Sequence, residues 1–513
     1  MSMTLRRGLI SADRYRSHEE VEANTMRAAA GLMALGVEPG DAIAILMRND
    51  FAFFEASYAA QAAGVYAVPV NWHLAPAEVA HILEDSEAKV LVVHADLLRH
   101  MAERIPESVT VLTVPTPPEV VDAYGIDPSD AEPMPTCRLW SDWLAGFEPL
   151  AEVHPLPTET MMYTSGTTGL PKGVKRGRQS AEANASMAVL RDKLYGIESG
   201  IRALVAGPLY HAAPNSMALR AGRVADAVII LPSFDAEEFL SAIEREKITT
   251  TFMVPTMFVR LLKLPDDIRL RYKISSLGYI MHAAAPCPSD IKRRMINWVG
   301  PIVHEFYGGT EGGYWTVSTS EDWLKKPGTV GRPPPEVTLR ALDESGNEVP
   351  VGEPGVLYGK HDFFPDFTYH KREKARQEVG HGDLITIGDI GYFDEDGFVF
   401  ICDRAKDMVV SGGANIYPAE IEAVLVDMPG VADGAVFGIP DPEFGERLMA
   451  VVQTQPDADI SEDGVMDYLR RHLAGFKVPR VIEFRDDLPR GDDGKIYKRR
   501  LREPYWQGHE RQV

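Results

Sequence analysis

The sequence lacks a long hydrophobic run and has few cysteines. Nowhere do about 18 apolar residues follow one another without interruption, which argues against a membrane-spanning helix. The N-terminus reaches polar residues at once and shows no hydrophobic signal segment. The three cysteines, Cys137, Cys287 and Cys402, are far apart and lack metal-ligand spacing. These absences favour a protein of the reducing cytoplasm.

The sequence also has fewer basic than acidic residues. The chain has 53 Lys and Arg residues against 75 Asp and Glu residues, which gives a formal net charge of −22. A field of that sign argues against nucleic acid and anionic membrane surfaces as partners. It does not argue against ATP, because a local basic site can lie within an acidic protein. The 513 residues are too many for one core, so we expect at least two domains.

The segment 163–174 has the composition of a loop that holds phosphate. Glycines let backbone N–H groups close around an anion, hydroxyl side chains add donors, and a lysine adds a mobile positive charge. The segment is not the common Gly-x-x-x-x-Gly-Lys nucleotide loop, because Pro171 precedes the lysine and Gly173 follows it. The residues that carry this interpretation are Thr164, Ser165, Gly166, Thr167, Thr168, Gly169 and Lys172.

Two later segments carry side chains suited to a nucleotide. In residues 305–313, Tyr307 can stack on a base, Thr310 can bond a phosphate, and Glu311 is a hard oxygen ligand suited to Mg²⁺. In residues 388–422, Asp389 could accept both hydroxyls of a ribose, and Arg404 could support the sugar and phosphate. Taken alone, a solvated surface pair is the plainer interpretation of Asp389 and Arg404.

Taken together and in this order, the segments resemble the adenylate-forming superfamily, which includes acyl-CoA synthetases, aryl-CoA ligases and luciferases. The resemblance implies that the loop 163–174 holds the β and γ phosphates of ATP. It implies catalytic roles for Lys495, His211, Thr310 and Glu311, with Glu311 holding Mg²⁺. It implies that ATP and coenzyme A are further held by Ala284, Ala285, Pro286, Glu305, Phe306, Tyr307, Gly308, Asp389, Arg404, Lys406, Gly412 and Gly413.

The resemblance also concerns the segment that lies against the adenine and the segment of His211. The family segment that lies against the adenine usually reads Gly-Gly-Ala-Pro, whereas Ala283 and Ala284 replace the glycines here. Both alanines are small enough to let a purine approach. His211 follows Pro-Leu-Tyr, and the resemblance places it near the acyl pocket. Taken alone, a loop histidine tied to the backbone is the plainer interpretation.

Helical and short apolar runs alternate over residues 19–94 and again over 226–285, which is typical of a parallel sheet covered on both faces. Residues 115–157 are rich in proline and acid and predict a surface excursion. The run Lys292, Arg293 and Arg294 predicts an exposed helix face. Helices are predicted over 19–36, 51–63, 76–85, 236–246, 259–264, 290–299, 420–427 and 463–472, and strands over 41–47, 65–70, 89–94, 203–206, 227–231, 250–254, 277–281, 431–439 and 448–453.

The predicted fold class is α/β, with a large N-terminal domain of parallel α/β sheets and a small C-terminal α+β domain. The resemblance makes Lys406 the hinge, so the predicted domains are 1–405, which binds AMP, and 406–513, which moves. In the superfamily the small domain rotates between two half-reactions, which removes the loop of Lys495 and opens a tunnel for pantetheine. The resemblance assigns Ser411, Gly412 and Gly413 to the tunnel wall.

The predicted function is ATP-dependent activation of a carboxylic acid followed by transfer to CoA. Segments near His211, Val254 and Ala283 are apolar and carry no evident cation for a second carboxylate, which favours a hydrophobic fatty, aryl or steroid-like acid. One alternative passes the acyl group to an amine or to a carrier protein. A remote alternative is a non-catalytic ATP-binding scaffold. A homodimer is left open.

Overall fold

The chain divides into two compact units. The computed structural model describes residues 6–156, 158–164, 171–411, 414–442, 444–456, 458–491 and 495–507. The first unit is 1–253, 259–282 and 362–378, and the second is 254–258, 283–361 and 379–513.

Helices and strands alternate along most of the described chain. The strands are β1 (Gly8–Ser11), β2 (Arg14–Ser17), β3 (Ala42–Leu46), β4 (Tyr66–Pro69), β5 (Ala88–His94), β6 (Thr110–Val114), β7 (Met162–Thr164), β8 (Lys172–Arg176), β9 (Arg202–Val205), β10 (Ala227–Ile230), β11 (Thr250–Met253), β12 (Tyr279–His282), β13 (Val303–Gly309), β14 (Gly313–Ser318), β15 (Val337–Leu342), β16 (Gly355–His361), β17 (Phe367–Tyr369), β18 (Gly380–His381), β19 (Leu384–Phe393), β20 (Val399–Arg404), β21 (Val409–Ser411), β22 (Ala414–Ile416), β23 (Val431–Asp441), β24 (Gly445–Thr454) and β25 (Val481–Arg485). The helices are α1 (His18–Ala34), α2 (Phe51–Ala63), α3 (Pro76–Asp85), α4 (Ala95–Met101), α5 (Pro118–Tyr124), α6 (Pro128–Ala131), α7 (Trp140–Ala145), α8 (Ala181–Tyr195), α9 (Ala212–Val224), α10 (Ala236–Glu246), α11 (Pro255–Lys263), α12 (Asp266–Arg269), α13 (Ser289–Val299), α14 (Ser320–Lys325), α15 (Glu373–Glu378), α16 (Pro418–Val426), α17 (Glu462–His472) and α18 (Lys498–Trp506).

Parallel strands form the framework of the first unit. The strands β4-β3-β5-β6 lie in that order and all run parallel. A second run, β12-β11-β9-β10-β1, is also parallel, and β2 pairs antiparallel with β1. A small antiparallel sheet, β17-β8-β7, carries the two ends of the segment 163–174.

Local capping determines where the first helices begin and end. At the start of α1, the Ser17 hydroxyl accepts the N–H of Glu20 at 3.1 Å, and the Glu20 carboxylate accepts the N–H of Ser17 at 2.7 Å. The Asp50 carboxylate accepts the N–H of Phe51 at 2.7 Å at the start of α2. Gly64 ends α2 with a left-handed backbone at φ 69°. The aromatic side chains of α2 are all buried: Phe51, Phe53, Phe54 and Tyr58.

Antiparallel pairing dominates the second unit. Strands β13 and β14 form a hairpin. The sheet β15-β16-β19 is antiparallel, with β18 and β20 also paired to β19. The C-terminal sheet has the order β22-β21-β24-β23, with β25 parallel to β24. Its core packs Ile421 and Leu425 of α16 against Val436, Ala450 and other buried apolar residues.

The α/β class is confirmed, with a large N-terminal part and a small C-terminal part, and the predicted elements are found with ends shifted by a few residues. Of the antiparallel sheet between Val337 and Arg404, sequence reasoning predicted only the hairpin turn at 394–397, between β19 and β20. The domain boundary at 405/406 stays a prediction. Among the described residues, no helix is both long and apolar enough to cross a membrane. Cys137, Cys287 and Cys402 are free thiols.

Two local predictions need correction. The surface excursion predicted over 115–157 contains the helices α5, α6 and α7, and both tryptophans of α7, Trp140 and Trp143, are buried. Lys292, predicted to be exposed, is fully buried, because its side of α13 also carries Met295 and Ile296 and packs inward.

Candidate nucleotide-binding site

Asp389, Tyr307 and Arg404 meet in the second unit. Asp389 on β19 is the register partner of Arg404 on β20. Its Oδ2 accepts a hydrogen bond from the Tyr307 hydroxyl at 2.9 Å, and its Oδ1 lies 3.4 Å from Nε of Arg404. A carboxylate offers about four acceptor positions, so this one can still accept further hydroxyl groups. The side chain of Asp389 is 9% exposed and that of Arg404 is 45% exposed, so the pair lies at the edge of the protein interior.

The charges of two lysines also act on this cluster. Burial raises the pKa of Asp389, whereas Arg404, the Tyr307 hydroxyl, Lys495 and Lys406 each lower it; burial outweighs them. Burial and the charge of Asp389 raise the pKa of Tyr307, so the phenol keeps the proton that it donates. Burial lowers the pKa of Lys406, and the charge of Arg404 lowers it further. Four site residues that were predicted from separate segments therefore interact with Asp389 in the structure: Tyr307, Arg404, Lys406 and Lys495.

The segment that carries Lys495 is tied down on both sides. Arg490 and Ile496 form an isolated antiparallel bridge. The N–H of Gly491 donates to the carbonyl oxygen of Lys495 at 2.9 Å, and the N–H of Tyr497 donates to that of Pro489 at 2.8 Å. The backbone of Lys495 is thus held by hydrogen bonding between its neighbours on both sides.

Thr310 and Glu311 lie in the tight turn between β13 and β14. The hairpin is close: a Cβ at Gly308 would lie 2.0 Å from the carbonyl oxygen of Gly313, so position 308 requires glycine. In the part of the chain that the structure describes, no group of three or more His, Cys, Asp and Glu side chains could hold a metal ion. A single carboxylate such as Glu311 fits Mg²⁺ that arrives with phosphate oxygens, because Mg²⁺ commonly binds one or two carboxylates plus substrate phosphates.

Glu305 and Phe306 precede Tyr307 on β13. The Glu305 carboxylate forms a buried ion pair with the ammonium group of Lys292 on α13. Lys292 also lies 5.3 Å from the centre of the Trp323 ring. Sequence reasoning missed this pair. The side chain of Glu305 therefore supports the strand of Tyr307 from within the core.

Ala284, Ala285 and Pro286 lie in the segment between β12 and α13. Ala284 has a φ of 80°, in the left-handed region that favours glycine. An alanine in this region costs roughly 1–2 kcal/mol. The alanine that replaces a family glycine is therefore held in a strained backbone, at a position predicted to lie against the adenine.

Replacing Ala284 by glycine should stabilise the protein. We expect Ala284→Gly to raise the free energy of unfolding by roughly 0.5–1 kcal/mol, because relief of strain exceeds the extra entropy of glycine in the unfolded chain. Urea unfolding of the second unit would measure the change. Ala283→Gly is the matched control: Ala283 is buried and has no positive φ, so glycine there should destabilise. A lower stability for Ala284→Gly would contradict the assignment of strain.

The two described ends of the segment 163–174 pair with each other in the first unit. Thr164 on β7 is the register partner of Lys172 on β8. A Cβ at Gly173 would lie 2.8 Å from the Tyr163 ring, so only glycine fits beneath that ring. The ammonium group of Lys172 lies 5.5 Å from the centre of the Tyr369 ring. The predicted residues Ser165, Gly166, Thr167, Thr168 and Gly169 lie outside the described residues, as do Gly412 and Gly413.

His211 is the residue before α9, in the first unit, and its loop is fixed by two buried asparagines. The Asn49 amide donates to the carbonyl oxygens of Gly207 and Leu231 at 3.0 and 3.1 Å, and its oxygen accepts the N–H of Leu209 at 3.0 Å. Asn215 donates to the carbonyl oxygen of Leu209 at 2.9 Å. Sequence reasoning missed both asparagines as supports of this loop, because isolated asparagines carry no spacing signal.

Family models match most of the chain. Residues 5–363 match the model of the AMP-binding enzyme, and residues 420–495 match that of the AMP-binding enzyme C-terminal domain. The chain belongs to the AMP-binding enzyme family.

Several curated members of this family resemble the chain along nearly its whole length. A feruloyl-CoA synthase of Amycolatopsis sp is 35% identical and covers 95% of this chain and 93% of its own. A second relative, from Mycobacterium tuberculosis, is a 3-[(3aS,4S,7aS)-7a-methyl-1,5-dioxo-octahydro-1H-inden-4-yl]propanoyl:CoA ligase. It is 35% identical over 96% of this chain and 95% of its own. A long-chain fatty acid:CoA ligase of the same species is 32% identical, with 96% and 94% covered.

Solved structures of similar proteins share the fold. ATP-bound MatB from Rhodopseudomonas palustris has a TM-score of 0.84 and 29% identity, with 99% of this chain and 98% of that chain covered. The amide bond synthetase McbA from Marinactinospora thermotolerans has a TM-score of 0.84 and 26% identity, with 98% and 97% covered. This AMP-binding enzyme therefore shares its fold with an ATP-bound structure and with an amide bond synthetase.

Removing the hydroxyl of Tyr307 should weaken ATP binding by this AMP-binding enzyme. Tyr307→Phe keeps the ring but removes the hydrogen bond to Asp389, so we expect the KM for ATP to rise roughly ten-fold. The lost hydrogen bond also lets the pKa of Asp389 rise further, so ATP affinity should be lost at a higher pH as the solution is acidified.

The matched control is Tyr314→Phe, because the hydroxyl of buried Tyr314 donates to the Glu336 carboxylate at 2.8 Å, outside the Asp389 cluster. The KM for ATP, measured against pH for both variants, separates the two cases. Equal KM values in both variants would contradict a role of the Tyr307–Asp389 bond in nucleotide binding.

Proposed function

We propose that the protein is an ATP-dependent acyl-CoA synthetase that forms acyl-CoA, AMP and pyrophosphate. The observation that carries the proposal is the cluster of Tyr307, Asp389 and Arg404 with the charge of Lys495 acting on it. Asp389 would accept the ribose hydroxyls on its remaining acceptor positions, and Arg404 would support the sugar and phosphate. The named activities of the relatives, acid:CoA ligases of several kinds, support this assignment.

The reaction has two steps. A carboxylate oxygen of the acid attacks the α-phosphorus of ATP, a C–O–P linkage forms, and pyrophosphate leaves with the electrons of the broken P–O bond. The thiol of CoA then attacks the carbonyl carbon of the acyl adenylate, loses its proton, and releases AMP. Neither step requires a protein nucleophile.

Negative charge on both partners is the main barrier to the first step. Fixed cations and donors lower it by stabilising charge where it develops. We assign Lys495 to the acid carboxylate and the α-phosphate, and Thr164, Lys172 and the loop between them to the β and γ phosphates. Mg²⁺, held through Glu311, would neutralise further phosphate charge. Thr310 would bond a phosphate.

The remaining site assignments are proposals on the same basis. Ala284, Ala285 and Pro286 would lie against the adenine, and His211 would lie near the acyl group. Lys406 would be the hinge between domains 1–405 and 406–513, and Gly412 and Gly413 would line the tunnel for CoA. A cytoplasmic location and a homodimer also stay predictions.

The acid is proposed to be hydrophobic. The relatives named above act, by their names, on an aryl acid, a long-chain fatty acid and a bicyclic propanoic acid. A second candidate function, transfer of the acyl group to an amine, is favoured by the similarity to the amide bond synthetase McbA. The first step uses the same residues in both cases.

Pyrophosphate release from a panel of carboxylic acids tests the proposal. We expect release with fatty, aryl or polycyclic acids and little with small dicarboxylic acids. The active acid is then supplied with CoA, with amines or with a carrier protein, and the product is identified by mass. Acyl-CoA is the expected product. An amide formed in preference to the thioester would transfer the assignment to the second candidate, and no AMP with any acid would contradict both.

A further inference from the structure

Asp403 lies at the junction between two sheets of the second unit. The sheet that carries Asp389 ends with β20 at Arg404, and the C-terminal sheet begins with β21 at Val409, so residues 405–408 connect them directly. The side chain of Asp403 is buried, and burial raises the pKa of its carboxyl group, whereas the charge of Lys498 and hydrogen bonds from two backbone N–H groups lower it. Burying a carboxylate is unfavourable unless partners compensate it, so its partners indicate what it does.

The Asp403 carboxylate reaches across this junction to α16. Its Oδ2 accepts the N–H of Ala419 at 2.8 Å, while its Oδ1 accepts the N–H of Arg404 at 2.6 Å. Ala419 is in the first turn of α16, and the residue before that helix, Tyr417, provides no side-chain cap. Asp403 therefore caps a helix of the C-terminal sheet from the end of the preceding sheet. The N-terminus of a helix favours such a negative charge.

Lys498 adds a positive charge that acts on Asp403. It is the first residue of α18 and follows Lys495 closely. Its Nζ lies 2.8 Å from Oε1 of Glu422, which also accepts the N–H of Val436 at 2.6 Å. Burial lowers the pKa of Lys498, but the charges of Glu422, Asp403 and Asp407 outweigh burial and raise it. Lys498 is therefore charged, and its positive charge also favours the ionised form of Asp403.

These contacts differ in whether they cross the junction. Glu422 and Lys498 both follow residue 408, so their ion pair is kept however the C-terminal part turns about Lys406. The hydrogen bond from Ala419 to Asp403 and the charge attraction between Lys498 and Asp403 join residues on opposite sides of Lys406, so a rotation there must break the bond and weaken the attraction. They belong only to the orientation in which Lys495 acts on Asp389.

We infer that Asp403 is a positioning residue that stabilises this orientation and so favours adenylate formation over the thioester step. The inference rests on the proposed function. Removing the negative charge of Asp403 weakens the contacts that hold the orientation, so a smaller fraction of the protein has Lys495 at the nucleotide. The orientation used for thioester formation does not contain these contacts and is not disfavoured.

The test compares Asp403→Asn with Glu420→Gln in the two half-reactions. Glu420 is a carboxylate in the same first turn of α16, and it pairs with Lys477 at 2.6 Å, entirely on one side of the junction. Adenylate formation is measured by exchange of labelled pyrophosphate into ATP, and the thioester step by conversion of premade acyl adenylate and CoA. We expect Asp403→Asn to slow exchange roughly ten-fold with an unchanged or faster thioester step. Glu420→Gln should alter neither.

A purely structural role of Asp403 would lower both half-reactions together, and that result would overturn the inference, as would an unchanged exchange rate. If Asp403→Asn does not fold, Lys498→Gln removes the charge that attracts Asp403, with Glu422→Gln as its control, because that variant loses the same Lys498–Glu422 ion pair and leaves Asp403 unchanged. Lys498→Gln must then show the division between the half-reactions that Glu422→Gln does not show. Failure of the proposed function looks different, because the unmodified protein and Glu420→Gln would then show no exchange with any acid.

Discussion

Lys495→Ala should lower adenylate formation by roughly two to three orders of magnitude, by analogy with the loss of one preorganised charge-stabilising group at a developing anion. The reason lies in the cluster around Asp389. Lys495 is close enough for its charge to act on that carboxylate, and we have proposed that the same ammonium group faces the acid carboxylate and the α-phosphate. Exchange of labelled pyrophosphate into ATP, with the best acid from the panel, measures the loss.

Arg499→Ala is the control for this variant. Arg499 lies on α18, close to Lys495 in the chain, but its side chain is 58% exposed and pairs only loosely with Glu503 at 3.7 Å. Because exposed pairs contribute little, we expect exchange to stay within about a factor of two. If Lys495→Ala retains pyrophosphate exchange at the level of Arg499→Ala, the assignment of Lys495 to adenylate formation is wrong.

Lys292→Met should destabilise the second unit by roughly 3–5 kcal/mol, because it leaves the buried Glu305 carboxylate without its ammonium partner. Glu305 precedes Tyr307 by two residues on β13, so the loss should also disturb the nucleotide cluster. Urea unfolding, followed by tryptophan fluorescence, measures the stability, since Trp323 lies beside Lys292.

Two further variants separate loss of the pair from loss of a lysine. Arg294→Met removes an exposed cation from the same helix and should change the free energy of unfolding by less than about 0.5 kcal/mol. Lys292→Met combined with Glu305→Leu removes both charges and should be more stable than Lys292→Met alone. If Lys292→Met alone is as stable as Arg294→Met, the buried Glu305 carboxylate does not need Lys292 as its partner.

Local patterns predicted the fold well where one segment contains its own signals. The helix Phe51–Ala63 has the bounds predicted for it, and both ends are marked in the adjoining sequence, since Asp50 caps its start and Gly64 ends it. Lys292 was predicted wrongly because the run of three cations suggested a solvated face. Met295 and Ile296, three and four positions later, carried the contrary signal, since those spacings share a helix face.

The residues of the candidate site were named from motifs, but their contacts were not predictable. Tyr307 and Asp389 are 82 positions apart, and their hydrogen bond depends on how two strands of different sheets approach each other. Asp403 is next to Arg404 in the sequence, yet its contact with Ala419 becomes visible only when α16 is in place. Periodicity reports which face of an element is buried, whereas such contacts depend on the tertiary arrangement.

The division of the reaction between two sets of residues is tested most directly by supplying premade acyl adenylate and CoA to the unmodified protein and to Lys495→Ala. We expect both to form the thioester at similar rates, because Lys495 is assigned to the first step alone, while pyrophosphate exchange is lost in the variant. Thioester formation by the unmodified protein and none by Lys495→Ala would contradict the division of the reaction between two sets of residues.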